Sequence, residues 1–149
     1  MHARALYVRA TVLLSHRADE PAQRSAEQAF AIGERLGRDS IIASAQMILG
    51  ASVSLQGEPQ RGAELLAEAV QRAGRSGARW VGGRARQFQI WVLLHTPTPD
   101  PTRTAEHALE LLCEAVELFE GDEAPAGTDE AVLSWSDMVA LPRRFAARR

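Results

Sequence analysis

Arg79 and Arg86 stand seven residues apart, inside a stretch between Ala69 and Pro99 that holds five arginines and no acid. Seven residues is close to two helical turns, so on a helix both guanidinium groups share one face. Such a pair can hold a carboxylate by charge-assisted hydrogen bonds, and the chemistry it suggests is a groove that receives an acidic peptide or a carboxylate terminus. Trp80 and Trp91 are eleven residues apart, about three turns, and fall on one side of the same segment. They suit core anchoring or the wall of a docking pocket. The competing reading for the arginines lies downstream. Between Pro101 and Glu130 nine acids stand against Arg103 alone, so the two segments can pair across a hairpin. Exposed ion pairs of that kind contribute about 0–1 kcal/mol each.

Other groups with chemical potential lack the partners that catalysis or metal binding needs. Glu106, Glu110, Glu114 and Glu117 recur at helical spacing and form an acidic ridge, but only His107 is near, and not in the Glu-x-x-His arrangement of di-iron bundles. The ridge reads as a solvated face. Cys113 occupies the place that Ala67 has in a repeated segment, which suggests a small packed residue. A nucleophile would need a base close by and a depressed pKa. The four histidines contain no His-x-x-x-His pair, and His95 reads as a cation at a helix end. Arg143, Arg144, Arg148 and Arg149 surround Phe145 in a basic amphipathic end, read as a solvated tail over a membrane-surface or nucleic-acid contact. No catalytic residue, metal site or cofactor is expected.

The elements that position these residues are helices. The 149-residue chain is 46% hydrophobic and only 5% aromatic, with abundant alanine and no run of strand-like alternation. All 17 basic residues are arginine, and the net charge of −2 offers no overall attraction to nucleic acid or anionic membrane. A single cysteine rules out an intramolecular disulfide, and no apolar run approaches the roughly 20 residues of a membrane helix. The expected location is the cytoplasm, with no membrane and no direct nucleic-acid partner.

Along the chain, the spacing predicts a helix over about 3–17 with little lead-in, as if the chain were the tail of a longer repeat array. A second helix starts at Asp19-Glu20-Pro21 and stops at Gly37. A third is capped by Asp39-Ser40, and Gly57-Glu58-Pro59 ends it and opens a fourth, which closes near Gly74. A fifth covers roughly 78–95. Three prolines in Thr96–Pro101 break it, and Asp100-Pro101 caps a sixth over about 102–120, with Ala105, Ala108, Leu112, Ala115 and Phe119 inward. Residues 121–128 form a loop, Thr128 caps a last helix, and Pro142 kinks or ends it. The segment Gly62–Val70 returns as Ala108–Val116 with six of nine positions identical, and spacings of 37 and 46 residues between copies indicate stacked helical hairpins.

Leu49-Gly50, Gly57, Gly62, Leu66 and Ala69 together resemble the tetratricopeptide repeat pattern, with Gly62 where the pattern has alanine and Val53 where it has an aromatic. Gly33-Glu-Arg-Leu-Gly-Arg-Asp39 and Gly57-Glu-Pro-Gln-Arg-Gly-Ala-Glu-Leu-Leu66 are similar to the helical-repeat regions of large actinobacterial LuxR-type and SARP-like regulators. No phosphate loop ending in Lys-Ser or Lys-Thr accompanies them, since the chain has no lysine. The resemblance implies an all-α chain: a right-handed α-solenoid of about three helical hairpins over 1–121, then a loop and C-terminal capping helix or helix pair with a basic tail over 122–149. It implies a non-enzymatic module that holds an acidic protein or peptide through Arg79, Arg86, Trp80 and Trp91, within a bacterial regulator. The alternatives are a domain that senses a small molecule or peptide, and self-association through uncovered end helices.

Overall fold

Gly37, Gly57 and Gly77 all have positive φ, at 61°, 97° and 70°, and each sits in a turn of two or three residues between helices. Gly77 shows why. Its left-handed backbone lets the Ala78 N–H return to the Ala73 carbonyl at 2.9 Å, closing the helix end. A side chain there would be strained. The sequence placed this stop near Gly74, which instead lies inside the helix, three residues before the residue that adopts the left-handed conformation.

The computed structural model describes residues 19–119 together with Leu6 and Arg9. Five helices follow one another: α1 (Asp19–Leu36), α2 (Asp39–Leu55), α3 (Pro59–Ser76), α4 (Arg79–His95) and α5 (Pro101–Phe119). There is no strand among the described residues. Leu6 and Arg9 are helical, and Leu6 packs with Ala29 of α1 and Ala45 of α2. The rest of the helix expected over 3–17 lies outside the described residues, as do the 121–128 loop, the last helix and the basic tail.

Start signals divide into two kinds. Asp100 is a cap, since its Oδ1 accepts the Arg103 N–H at 3.0 Å, and Pro101 follows in the first turn where a missing N–H costs nothing. Asp39 is not a cap. Arg38 holds that position without a side-chain hydrogen bond, and the Asp39 carboxylate reaches across to Arg72 at 3.1 Å and Arg75 at 3.7 Å on α3. An ion pair between helices has taken the carboxylate that local sequence assigned to a helix end.

Each helix packs on the next, and α2 also packs directly on α4. Nine residues are buried in α2 and nine in α4, against four in α3 and three in α5. The helices α2 and α4 are therefore central, with one-sided amphipathic helices beside them. One core runs through Ala22 and Ala26 of α1, Met47 and Ile48 of α2, Leu66, Ala69 and Ala73 of α3, and Trp80, Ala85 and Phe88 of α4. Its small residues set the spacing. A Cβ on Gly62 would lie 2.6 Å from the Gly50 carbonyl oxygen and would overlap Ser54 Oγ, so α2 and α3 meet backbone to backbone. The glycine that departs from the repeat pattern is required by this contact.

Candidate functional site

Helix α4 carries all four residues singled out in the sequence, and it distributes them over two faces. One face looks at α5. Arg79 Nη2 donates to the Glu117 carbonyl at 2.6 Å, and Arg86 Nη2 to Glu114 Oε2 at 2.6 Å. Gly83 meets the Phe119 ring, and Ile90 clusters with Ala108 and Leu111. The shared face of Arg79 and Arg86 is thus real, and it is the hairpin seam. Pairing with the acidic helix, the second of the two readings of these arginines, describes the contacts present.

Trp80 and Trp91 lie about a quarter turn or more away from that seam, on a strip with Arg84, Gln87 and His95 at helical spacing. The contacts of α4 with α3, through Gly82 near Ala73 and through Val92, leave from another side. Trp80 is buried. Arg84 is 6% exposed, with its guanidinium carbon 5.9 Å from the Trp80 ring centroid and 5.7 Å from that of Phe88. Cation–π attraction of a desolvated arginine is worth up to about 2 kcal/mol, and Arg84 Nη1 also donates to Gln87 Oε1 at 2.5 Å. Trp91 is mostly buried, packs against the core and stacks on His95 with centroids 5.0 Å apart, while the exposed His95 donates from Nδ1 to the Trp91 carbonyl at 2.6 Å. Leu94 beside them is exposed. The strip therefore grades from a buried arginine clamp to an aromatic and apolar patch that a partner can reach.

Arg84 and Gln87 were not chosen from the sequence. The signal was there: an arginine with aromatics four residues before and four after, Trp80 and Phe88, stacks on both if the helix forms. The spacing of seven between Arg79 and Arg86 drew attention to the wrong pair for this strip.

A cleft of about 270 Å³ opens where α3, α4 and α5 converge. Pro59 and Ala63 form one wall, Leu111 and His107 the other, with Val92, Gln89 and Arg86 from α4. Arg86 Nε finds no hydrogen-bond partner among the described residues. The cleft can take a small apolar group with a polar end.

The acidic ridge on α5 is divided. Glu114 engages Arg86, and Glu110 pairs with His107 at 3.2 Å. No group of three His, Cys, Asp or Glu capable of holding a metal occurs among the described residues. Cys113 is exposed, against the expectation of a packed residue, because no described helix covers that side of α5. No described helix is long and apolar enough to cross a membrane. The chain matches no family model, no curated protein and no solved structure.

Proposed function

We propose that the chain is a non-enzymatic scaffold that binds a protein or peptide segment along the Trp91 strip of α4. One observation supports this most: His95 and Leu94 are exposed beside the partly buried, core-packed Trp91 ring on which His95 stacks, on a central helix that packs against α2, α3 and α5. Aromatic side chains in rigid surroundings are the commonest binding hot spots, because little side-chain entropy is lost on contact. Gln87 beside the patch supplies amide hydrogen bonding for a peptide backbone. The acidic character first expected of the partner rested on Arg79 and Arg86, which serve the α4–α5 seam. Apolar docking on Trp91 and Leu94 therefore supplies most of the attraction. The resemblance to repeat regions of bacterial regulators is compatible with such a holding role.

The test is affinity capture from the native lysate with wild-type chain and with Trp91→Ala. A genuine partner is retained by the first and lost or weakened roughly tenfold or more by the second, the effect of removing a hot-spot aromatic. Partners bound equally by both chains would end the reading. A small-molecule sensor is the second reading, favoured by the cleft between α3 and α5. Under that reading, a screen of small amphipathic acids raises the melting temperature of wild-type chain but not of Ala63→Phe, which fills the cleft.

A further inference from the structure

Helix α5 presents an apolar stripe that its sequence twin keeps covered. Aligning Gly62–Val70 with Ala108–Val116 matches Ala63, Leu66 and Val70 of α3 to Leu109, Leu112 and Val116 of α5. In α3 the matching residues lie between α2 and α4: Ala63 faces Gln89 and Val92 of α4 across the cleft, Leu66 lies against Gly50 of α2 and is 0% exposed, and Val70 packs on the core. In α5 the matching residues are 61%, 37% and 49% exposed. A stripe of three large apolar side chains at i, i+3 and i+7 is a face built to receive a helix.

We propose that this stripe seats the chain's own segment around 129–141, lying antiparallel to α5 as α4 lies against α3. Residues 120–149 follow α5, and 120–128 are ample to turn the chain. Val132, Trp135 and Val139 repeat at i, i+3 and i+7, the complement of the stripe. Charge fixes the direction. A helix that starts near Asp129 opposite Phe119, runs back along α5 and ends at Pro142 delivers Arg143 and Arg144, just past its end, close to the level of Glu106, the same side as Glu110. Both glutamates are exposed at that end of α5. A tethered segment competes at millimolar effective concentration, so it takes the seat ahead of a second copy or another protein.

Cys113 borders the stripe and is the single thiol of the chain, which makes it a native reporter. The experiment measures its rate of reaction with an aromatic disulfide reagent in the full chain and in Trp135→Asp/Val139→Asp, at several protein concentrations. A seat filled about nine-tenths of the time slows the full chain roughly tenfold relative to the variant, independent of concentration. A second pair of variants guards against misfolding: Glu106→Arg/Glu110→Arg should lose protection, and adding Arg143→Glu/Arg144→Glu should restore it. Equal rates in wild type and both variants would overturn the proposal. So would protection that grows with concentration, which assigns the stripe to a second copy, or protection gained only on adding another protein.

Discussion

Gly62–Val70 and Ala108–Val116 share six of nine residues, both follow a proline-started turn, and both are helical, yet their leucines and valines lie in different surroundings. In α3 one side of the segment packs on α2 and another on α4. In α5 only the side toward α4 is covered by a described helix. Helix formation is set by residues close in sequence, through capping, proline at the start and glycine at the stop. Burial is set by what comes next along the stack, which nine residues do not contain. The same difference explains why Ala105 and Leu112 of α5, read as inward, are exposed while Leu111 is buried. The helix has turned slightly to give α4 its Ala108–Leu111–Ala115 edge.

The largest expected effect separates the two copies by truncating the same leucine in each. Leu66→Ala leaves a cavity among Gly50, Ala69 and the α2–α4 core and should cost about 2–5 kcal/mol. Leu112→Ala, made in the Trp135→Asp/Val139→Asp chain in which the stripe is left uncovered, removes an exposed side chain and should cost roughly 1 kcal/mol or less. Chemical denaturation of both variants checks this. Equal losses would mean that the outer side of α5 is packed as tightly as that of α3, and the contrast between copies would fall.

A second experiment exchanges the small residue that opens each segment. Gly62→Ala places a methyl against the Gly50 carbonyl and Ser54, both on α2. The Gly50 carbonyl cannot yield without moving the helix, and Ser54 Oγ can turn away only by giving up its 2.7 Å bond to that carbonyl, so the variant should lose about 1–3 kcal/mol through overpacking. Ala108→Gly, at the matching place in α5, should lose only about 0.5–1 kcal/mol, the backbone cost of glycine within a helix. A Gly62→Ala chain as stable as wild type would show that α2 and α3 do not depend on backbone contact.

Much of the molecule was legible in its sequence for local reasons. Gly37 and Gly57 stop helices where expected, Pro59 and Pro101 start them, and Asp100 caps α5, since each acts within a few residues of itself. What was hidden depended on distant partners. Asp39 has the look of a cap until Arg72 and Arg75 arrive from α3. Cys113 has the look of a packed residue by analogy with Ala67, and the analogy fails because no described helix follows α5 as α4 follows α3. At the candidate site, the helix and the common side of Trp80 and Trp91 could be read directly. The angular separation of those tryptophans from Arg79 and Arg86 was readable as well, but which face would meet α5 was not, because that follows from which helices flank α4. Arg84 could have been found, because its aromatic neighbours lie on its own helix.

The smallest effect distinguishes a seam ion pair from a surface one. Arg86–Glu114 spans α4 and α5 at 2.6 Å, with side chains 22% and 49% exposed, whereas Arg61–Glu64 lies within α3 at 3.2 Å with side chains 60% and 65% exposed. Water screens the second pair more fully, and its charges must hold two long side chains in place for little return. A double-mutant cycle with Arg86→Met and Glu114→Gln should give a coupling near 1 kcal/mol, the upper end for partly exposed pairs. The same cycle with Arg61→Met and Glu64→Gln should give about 0.2–0.5 kcal/mol, vanishing in high salt. If the seam pair were no stronger than the surface pair, the α4–α5 hairpin would be held by its apolar contacts, Ile90 with Ala108 and Leu111 and Gly83 with Phe119, and by the Arg79–Glu117 carbonyl bond. Arg86 would then be available to the cleft, and the carboxylate-binding role that its sequence position first suggested would regain its footing.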